Sequence, residues 1–365
     1  MNAPRHLTIG VTGLNARADN PGPGLAVVRC LRESADFKNF DLRIVGLSYD
    51  AFDPGLYHGD VDAAYLLGYP FAGAAALAER LRHVHARERL DVIVPCVDAE
   101  LPNFVQLQPE LQSWGILTYL PSARQLQMRD KSRLAELAKQ AGIAVPETKL
   151  IHDASFLLGA GPERWAYPLM VKGLYYDAVM CQDAASAVAA FNKISSLWGV
   201  PIIVQKPVKG EEYNLTGIGD GCGNLVAPVM MKKRALTDKG KAWAGVTIYD
   251  AKLLATAEAI VRHLNWRGAL EVELIRDESG TYHLIEINPR FPAWIYLSAG
   301  VGRNLPAVMM RLITGSPLPS FPPVQAGTLF IRYAQEVIVP MQSFESMMLA
   351  SERELAIVPP KELAA

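Results

Sequence analysis

The sequence predicts an α/β protein, with a parallel sheet covered by helices at the N-terminal end and an antiparallel, strand-dominated region toward the C-terminal end. Three observations carry this. Apolar runs alternate with amphipathic stretches between residues 7 and 95, the pattern of successive βα units in a parallel sheet. A composition change at Pro121-Ser122 opens a second segment. From residue 202 onward the pattern is mainly strands, two of them acidic and joined by a short turn.

In chain order, residues 7–13 (LTIGVTG) read as the first strand and the breaker-rich loop 15–24 follows it. Residues 25–33 then form an amphipathic helix. The glycines at 10, 13, 22 and 24 do not have the G-x-G-x-x-G spacing, so the dinucleotide fingerprint is missing. Pro21-Gly22-Pro23-Gly24 is either a rigid turn feeding the helix or a substrate loop beyond the strand ends. Residues 42–47 and 91–95 are further strands, with a helix over 72–89 between them. Pro121-Ser122 precedes a helical stretch that runs to Gly142. Strands at 168–172 and 179–182 and a helix at 184–197 follow. The remaining strands are 202–205, 212–218, 225–231, 269–276 and 282–288, interrupted by a helix at 250–264.

Composition narrows the function. Of 365 residues, 50% are apolar and 20% charged, which excludes a disordered chain. Lys and Arg total 36 against 37 Asp and Glu, a net charge of −1 that argues against a nucleic-acid partner. The four cysteines lie far apart, so neither a disulfide framework nor a zinc site is expected. The longest uncharged stretch, residues 63–78, contains Pro70 and is too short to span a bilayer. A cytoplasmic protein without a membrane partner is the expectation.

The sharpest local signal is the acidic pair of strands. In residues 270–274 (LEVEL) Glu271 and Glu273 project from one face; in residues 282–290 (YHLIEINPR) Glu286 and Asn288 share a face. A hairpin through residues 277–280 sets Glu273 beside Glu286. Three oxygen donors without His or Cys suit a hard cation such as Mg²⁺. The alternative is a solvated strand face, which fits Glu271 better than Glu286, because Leu284, Ile285 and Ile287 flank the latter.

Residues 282–291 (YHLIEINPRF) resemble the metal-binding strand of the ATP-grasp superfamily. Four further segments agree in order: 91–100 (DVIVPCVDAE), Asp130-Lys131 followed by 142–146 (GIAVP), 167–172 (YPLMVK), and 204–213 (VQKPVKGEEY). The chain is similar to the group of ligases resembling the carbamoyl-phosphate-synthetase large subunit. The resemblance implies an N-terminal parallel-sheet (pre-ATP-grasp) domain over 1–120 and a two-part ATP-grasp α+β module. That module comprises a small lid over 121–198 and a large subdomain over 199–335, before a C-terminal segment, 336–365.

The same resemblance implies roles. Lys131 and Lys172 neutralise triphosphate oxygens; Gln205, Lys206 and Val208 read the adenine edge; Glu212 accepts from the ribose hydroxyls. Glu273, Glu286 and Asn288 hold Mg²⁺, with Mn²⁺ as a substitute. Arg290 stabilises the transferring phosphoryl group, its alternative being a structural ion pair. The implied reaction is an ATP-dependent carboxylate–amine (or thiol) ligation through an acyl phosphate, on small-molecule substrates such as amino acids or peptides, with a homodimer left open. One departure stands out: residues 173–178 (GLYYDA) hold one glycine where the family has a glycine-rich flap. Side chains at Tyr175 and Tyr176 limit backbone approach, and Asp177 repels phosphate unless it faces away. The alternative is therefore a catalytically impaired nucleotide sensor. Outside these motifs, aromatics in 291–296 either shape a pocket or pack the core. Arg303 is a candidate carboxylate grip, and Lys232-Lys233-Arg234 is either a phosphate-contacting loop or a solvated charge run.

Overall fold

A computed structural model describes residues 5–159, 165–174 and 177–354. Strands β1 (Arg5–Val11), β2 (Phe40–Ser48), β3 (Ala63–Leu66) and β4 (Val92–Val94) pair in parallel in the order β3-β2-β1-β4. Helices α1 (Gly24–Arg32), α2 (Gly73–Glu88) and α3 (Leu101–Ser113) connect and flank them. The strands are mainly apolar and buried over most of their length, as a sheet covered on both faces requires. The loop between β1 and α1 resolves as a rigid turn. A Cβ on Gly24 would lie 2.1 Å from the Thr12 carbonyl oxygen, and one on Gly22 2.3 Å from that of Gly13. Only glycine permits this approach.

The helical stretch expected from 122 to 142 is two helices, α4 (Ala123–Met128) and α5 (Leu134–Ala141). Asp130 breaks it: its Oδ1 accepts from the Ser132 N–H at 2.9 Å and the Ser132 hydroxyl at 2.7 Å, a local turn that competes with helix. Lys131 thereby sits in a turn. Gly142 ends α5 in the left-handed conformation at φ 69°.

A four-stranded antiparallel sheet comes next, built from β5 (Thr148–Ile151), β6 (Leu169–Lys172), β7 (Ala178–Cys181) and β8 (Ile202–Gln205) in the order β5-β8-β6-β7. Helix α6 (Ala184–Trp198) packs on it through Ala187, Ala190, Phe191 and Ile194. Tyr175 and Tyr176, read from the sequence as flap residues, lie outside the described residues. The Asp177 carboxylate accepts from Trp198 Nε1 at 2.7 Å.

The largest sheet is antiparallel. Its strands are β9 (Gly210–Asp220), β10 (Leu225–Leu236), β11 (Ala242–Ile248), β12 (Arg267–Asp277), β13 (Tyr282–Asn288) and β14 (Leu329–Ile331), ordered β13-β12-β9-β10-β11-β14. Helix α7 (Ala251–Leu264) covers one face around fully buried Trp266. Asp250 caps α7, accepting from the Lys252 and Leu253 N–H groups at 2.9 and 3.0 Å. Asp250→Ala is expected to cost about 1–2 kcal/mol, read as a lower denaturant midpoint at unchanged slope.

Helices α8 (Tyr296–Gly300) and α9 (Leu305–Thr314) join the large sheet to the first one, because Phe291, Ile295 and Leu305 share a core with Val27, Val28 and Leu31 of α1. After α10 (Met341–Ala350) the chain returns to its beginning. Strand β15 (Glu352–Glu354) pairs antiparallel with β3 and completes a five-stranded sheet. Among the described residues no helix is long and apolar enough to cross a membrane.

Candidate functional site

The hairpin β12–β13 pairs Glu271 with Asn288 and Glu273 with Glu286. Across the sheet, Glu273 also lies opposite Asn214 of β9. Alternation therefore gathers Asn214, Glu271, Glu273, Glu286 and Asn288 on one face.

Cations surround this acidic face. Lys233 Nζ donates to Glu212 Oε2 at 2.7 Å and Glu273 Oε2 at 3.0 Å, with its side chain only 6% exposed. Burial disfavours that ammonium, yet Glu273 and Glu212 outweigh the penalty and hold its pKa above the usual lysine range. Glu273 in turn stays well below the usual carboxylate range: burial opposes this, and Lys233 and Lys241 overcome it. Lys131 Nζ lies 3.2 Å from Glu286 Oε1. Lys172, at the end of β6, donates to Gln205 Oε1 at 2.7 Å, and the Gln205 amide donates to Thr148. Arg290 Nε donates to Asp98 Oδ2 at 2.7 Å, and one Arg290 terminal nitrogen lies 3.7 Å from Glu271.

Glu271 corrects the expectation of a solvated face. It is buried, and its two oxygens accept from Asn214 at 2.6 Å, Trp294 Nε1 at 2.7 Å and Asn288 at 3.1 Å. Burial and the neighbouring Glu273 charge push its pKa up. Committed to these donors, Glu271 supports the site from below. The Asn288 amide nitrogen donates to Glu273 Oε1 at 2.9 Å.

Among the described residues no group of three or more His, Cys, Asp or Glu side chains is arranged as a metal cage. The donor set is smaller: the Glu273 and Glu286 carboxylates and the Asn288 amide oxygen. All are hard oxygens on one face, and Glu273 is held ionised, so the set fits a Mg²⁺ ion that keeps water or phosphate oxygens as its remaining ligands. An open cavity of about 520 Å³, lined by Glu211, Glu212, Lys232, Lys233 and Arg234, adjoins the face.

The segment expected to read adenine lies between β8 and β9. The Lys206 N–H is committed to the Glu147 carbonyl at 2.9 Å and its Nζ to the Glu147 carboxylate at 2.5 Å. Both of these Lys206 groups are therefore already occupied within the protein.

Residues 199–336 match the family described as ATP-grasp in the biosynthetic pathway with Ter operon. The matched stretch contains strands β9 to β14 of the large antiparallel sheet. Solved structures agree on the fold. A biotin carboxylase–β,γ-ATP complex from Campylobacter jejuni superposes with a TM-score of 0.64 at 17% identity, over 86% of this chain and 72% of that one. An L-amino acid ligase from Bacillus licheniformis gives 0.62 at 16% identity, over 86% and 75%. The biotin carboxylase domain dimer of the Hydrogenobacter thermophilus 2-oxoglutarate carboxylase, solved with MgADP and bicarbonate, gives 0.63 at 16%, over 87% and 71%. No curated protein matches the chain.

The structure places the remaining candidates as follows. Lys233 belongs to β10 rather than a loop, and its signal was a lysine directly after the apolar Met230-Met231 run. Arg303 grips no carboxylate: it is buried and donates to the carbonyls of Pro228 and Pro322 at 2.6 and 2.8 Å. Phe291, Trp294 and Ile295 pack the core. Lys172 has a pKa lowered to about 8, by burial first and Lys131 second. Its charge is present below that pH and lost above it. Nucleotide affinity is accordingly expected to fall about tenfold from about pH 7 to about pH 9, and Lys172→Arg should flatten the profile; titration calorimetry at each pH checks both.

Proposed function

We propose that the chain is an ATP- and Mg²⁺-dependent ligase that joins a carboxylate to an amine through an acyl phosphate, releasing ADP and phosphate. The observation that carries this is the acidic face of Glu273, Glu286 and Asn288 flanked by Lys131, Lys172, Lys233 and Arg290. Cations alone would suit any anion, and carboxylates alone any cation. Their interleaving suits a polyphosphate carrying its own metal.

Glu273, Glu286 and Asn288 would hold Mg²⁺, which when bound shields the β- and γ-phosphate charge. Lys131 and Lys172 neutralise triphosphate oxygens as point charges, and Lys172 is kept extended toward them by its bond to Gln205. Glu212 bonds Lys233 through one oxygen and has a second for a ribose hydroxyl. Arg290 presents a planar donor fork to the phosphoryl group as it passes to the substrate carboxylate, and then to the acyl phosphate. The amine displaces phosphate from that anhydride, so an amide forms in water at the expense of ATP. The substrates are small-molecule carboxylates and amines, amino acids or peptides in class. The likeness to an amino acid ligase and to carboxylases solved with nucleotide supports the same direction.

Titration calorimetry with a non-hydrolysable ATP analogue, with and without Mg²⁺, tests the reading. Mg²⁺-strengthened binding is expected, followed by ADP release when amino-acid pairs are supplied. Absent binding would overturn it, and binding without ADP release under any pair would reduce the protein to a sensor.

A further inference from the structure

Asp98 belongs to the first sheet's half of the molecule, in the turn between β4 and α3, yet its carboxylate reaches the site on β13. Oδ2 accepts from Arg290 Nε at 2.7 Å, and Oδ1 lies 3.5 Å from a terminal nitrogen of Arg129. Arg129 immediately precedes the Asp130–Ser132 turn that carries Lys131. One carboxylate thus tethers two of the segments that present cation to the acidic face.

The turn itself is rigid. Glu100 is fully buried, and its Oε1 accepts from the Cys96 and Val97 N–H groups at 2.9 Å each. Glu100 also accepts from the hydroxyls of Thr12 and Tyr49. The core of the first sheet therefore fixes where Asp98 points.

Arg290 needs such an anchor. Its other contacts are the Phe291 carbonyl at 3.1 Å, the Asn288 amide oxygen at 3.4 Å and Glu271 at 3.7 Å. The last two belong to the acidic face itself. With Asp98 gone, the strongest attraction left to the guanidinium is toward Glu271 and Glu273, down into the sheet. Asp98 instead holds it through Nε, which leaves each terminal nitrogen a second N–H, beyond its bond to Phe291 or Asn288, for a substrate anion.

We propose that Asp98 is the positioning residue for Arg290, so that the phosphoryl-transfer site is assembled from both halves of the chain and is incomplete without the N-terminal sheet. This rests on the ligase reading above.

The test uses the full chain as Asp98→Asn, Asp98→Ala, Arg290→Ala and the Asp98→Ala/Arg290→Ala double variant. Affinity for the Mg²⁺–ATP analogue and the kcat and KM for ADP release are measured on each. Both Asp98 variants are expected to bind the analogue within about threefold of the unaltered chain and to lose about a hundredfold in kcat, the scale of a misplaced reacting group. The double variant should be no slower than Arg290→Ala, because the two residues act as one unit. An unchanged kcat in both Asp98 variants, even with a lower melting temperature, would overturn the proposal, leaving Asp98 as a domain clamp. Losses that multiply in the double variant would overturn it equally. If the unaltered chain fails to bind the analogue, or binds it without releasing ADP, the ligase reading falls and takes this proposal with it.

Discussion

Glu286→Gln is expected to abolish Mg²⁺-dependent turnover, lowering ADP release by at least about a hundredfold while leaving the fold intact. The change keeps shape and removes one of the two negative charges in the donor set of Glu273, Glu286 and Asn288. Glu273 lies directly opposite Glu286 in the hairpin register, and Glu271 is the poorer substitute, its side chain 6% exposed against 19% for Glu273 and its oxygens shared among Asn214, Trp294 and Asn288. Stability should barely move, because the Glu286 side chain is 26% exposed and its contact with Lys131 is a single ion pair at 3.2 Å. The measurement is analogue binding with and without Mg²⁺ alongside ADP release and a melting curve. A variant that keeps Mg²⁺-strengthened affinity and wild-type turnover would remove Glu286 from the metal set.

Lys233→Met should act on stability as well as on the site. The buried ammonium joins Glu212 of β9 to Glu273 of β12, and its loss removes the largest attraction that keeps Glu273 ionised beside Glu271. Breaking one side of a buried pair costs about 3–5 kcal/mol. The pH dependence distinguishes this from lost packing. Glu273 has a depressed folded-state pKa in the unaltered chain, so its stabilising contribution is present above the unfolded carboxylate value of about 4.3 and disappears as pH falls through the folded one. The difference between Lys233→Met and the unaltered chain should therefore be largest near neutrality and shrink on acidification. Denaturant titrations at both conditions decide it; a difference constant with pH would mean that the lysine stem, rather than its charge, matters.

Much of the acidic face was legible because β12 and β13 are adjacent in sequence, joined by a short turn, and carry their carboxylates at alternate positions. Counted from the turn, strict alternation would set Glu273 opposite Ile285; a bulge there shifts the register and brings Glu286 beside Glu273. What remained hidden depends on strands far apart in the chain. Glu271 looks in sequence like any outward-facing glutamate, and only Asn214, Trp294 and Asn288 converging on it reveal a buried hub. Lys233 reads as part of a basic run until β9 and β10 pair in register and set it over Glu212 and Glu273. Short strands were also missed: β3 was absorbed into an uncharged stretch, β5 has four residues shortly after Pro146, and β11 contains Gly245 at a position where Met231 crowds in. The α4–α5 break lay in one aspartate's preference for its own backbone over the helix ladder.

The pairing of β15 with β3 sets an order on synthesis. Strand β3 is made well before β15, and its outer edge has no partner until residues 352–354 follow it out of the ribosome. Throughout that interval the nascent first sheet presents unpaired N–H and C=O groups along a wholly apolar strand, Ala63-Ala64-Tyr65-Leu66, the kind of edge on which chains stick to one another. Chains released early, short of Glu352, would be lost to aggregation before any question of nucleotide binding arose, although every residue of the acidic face had already been translated.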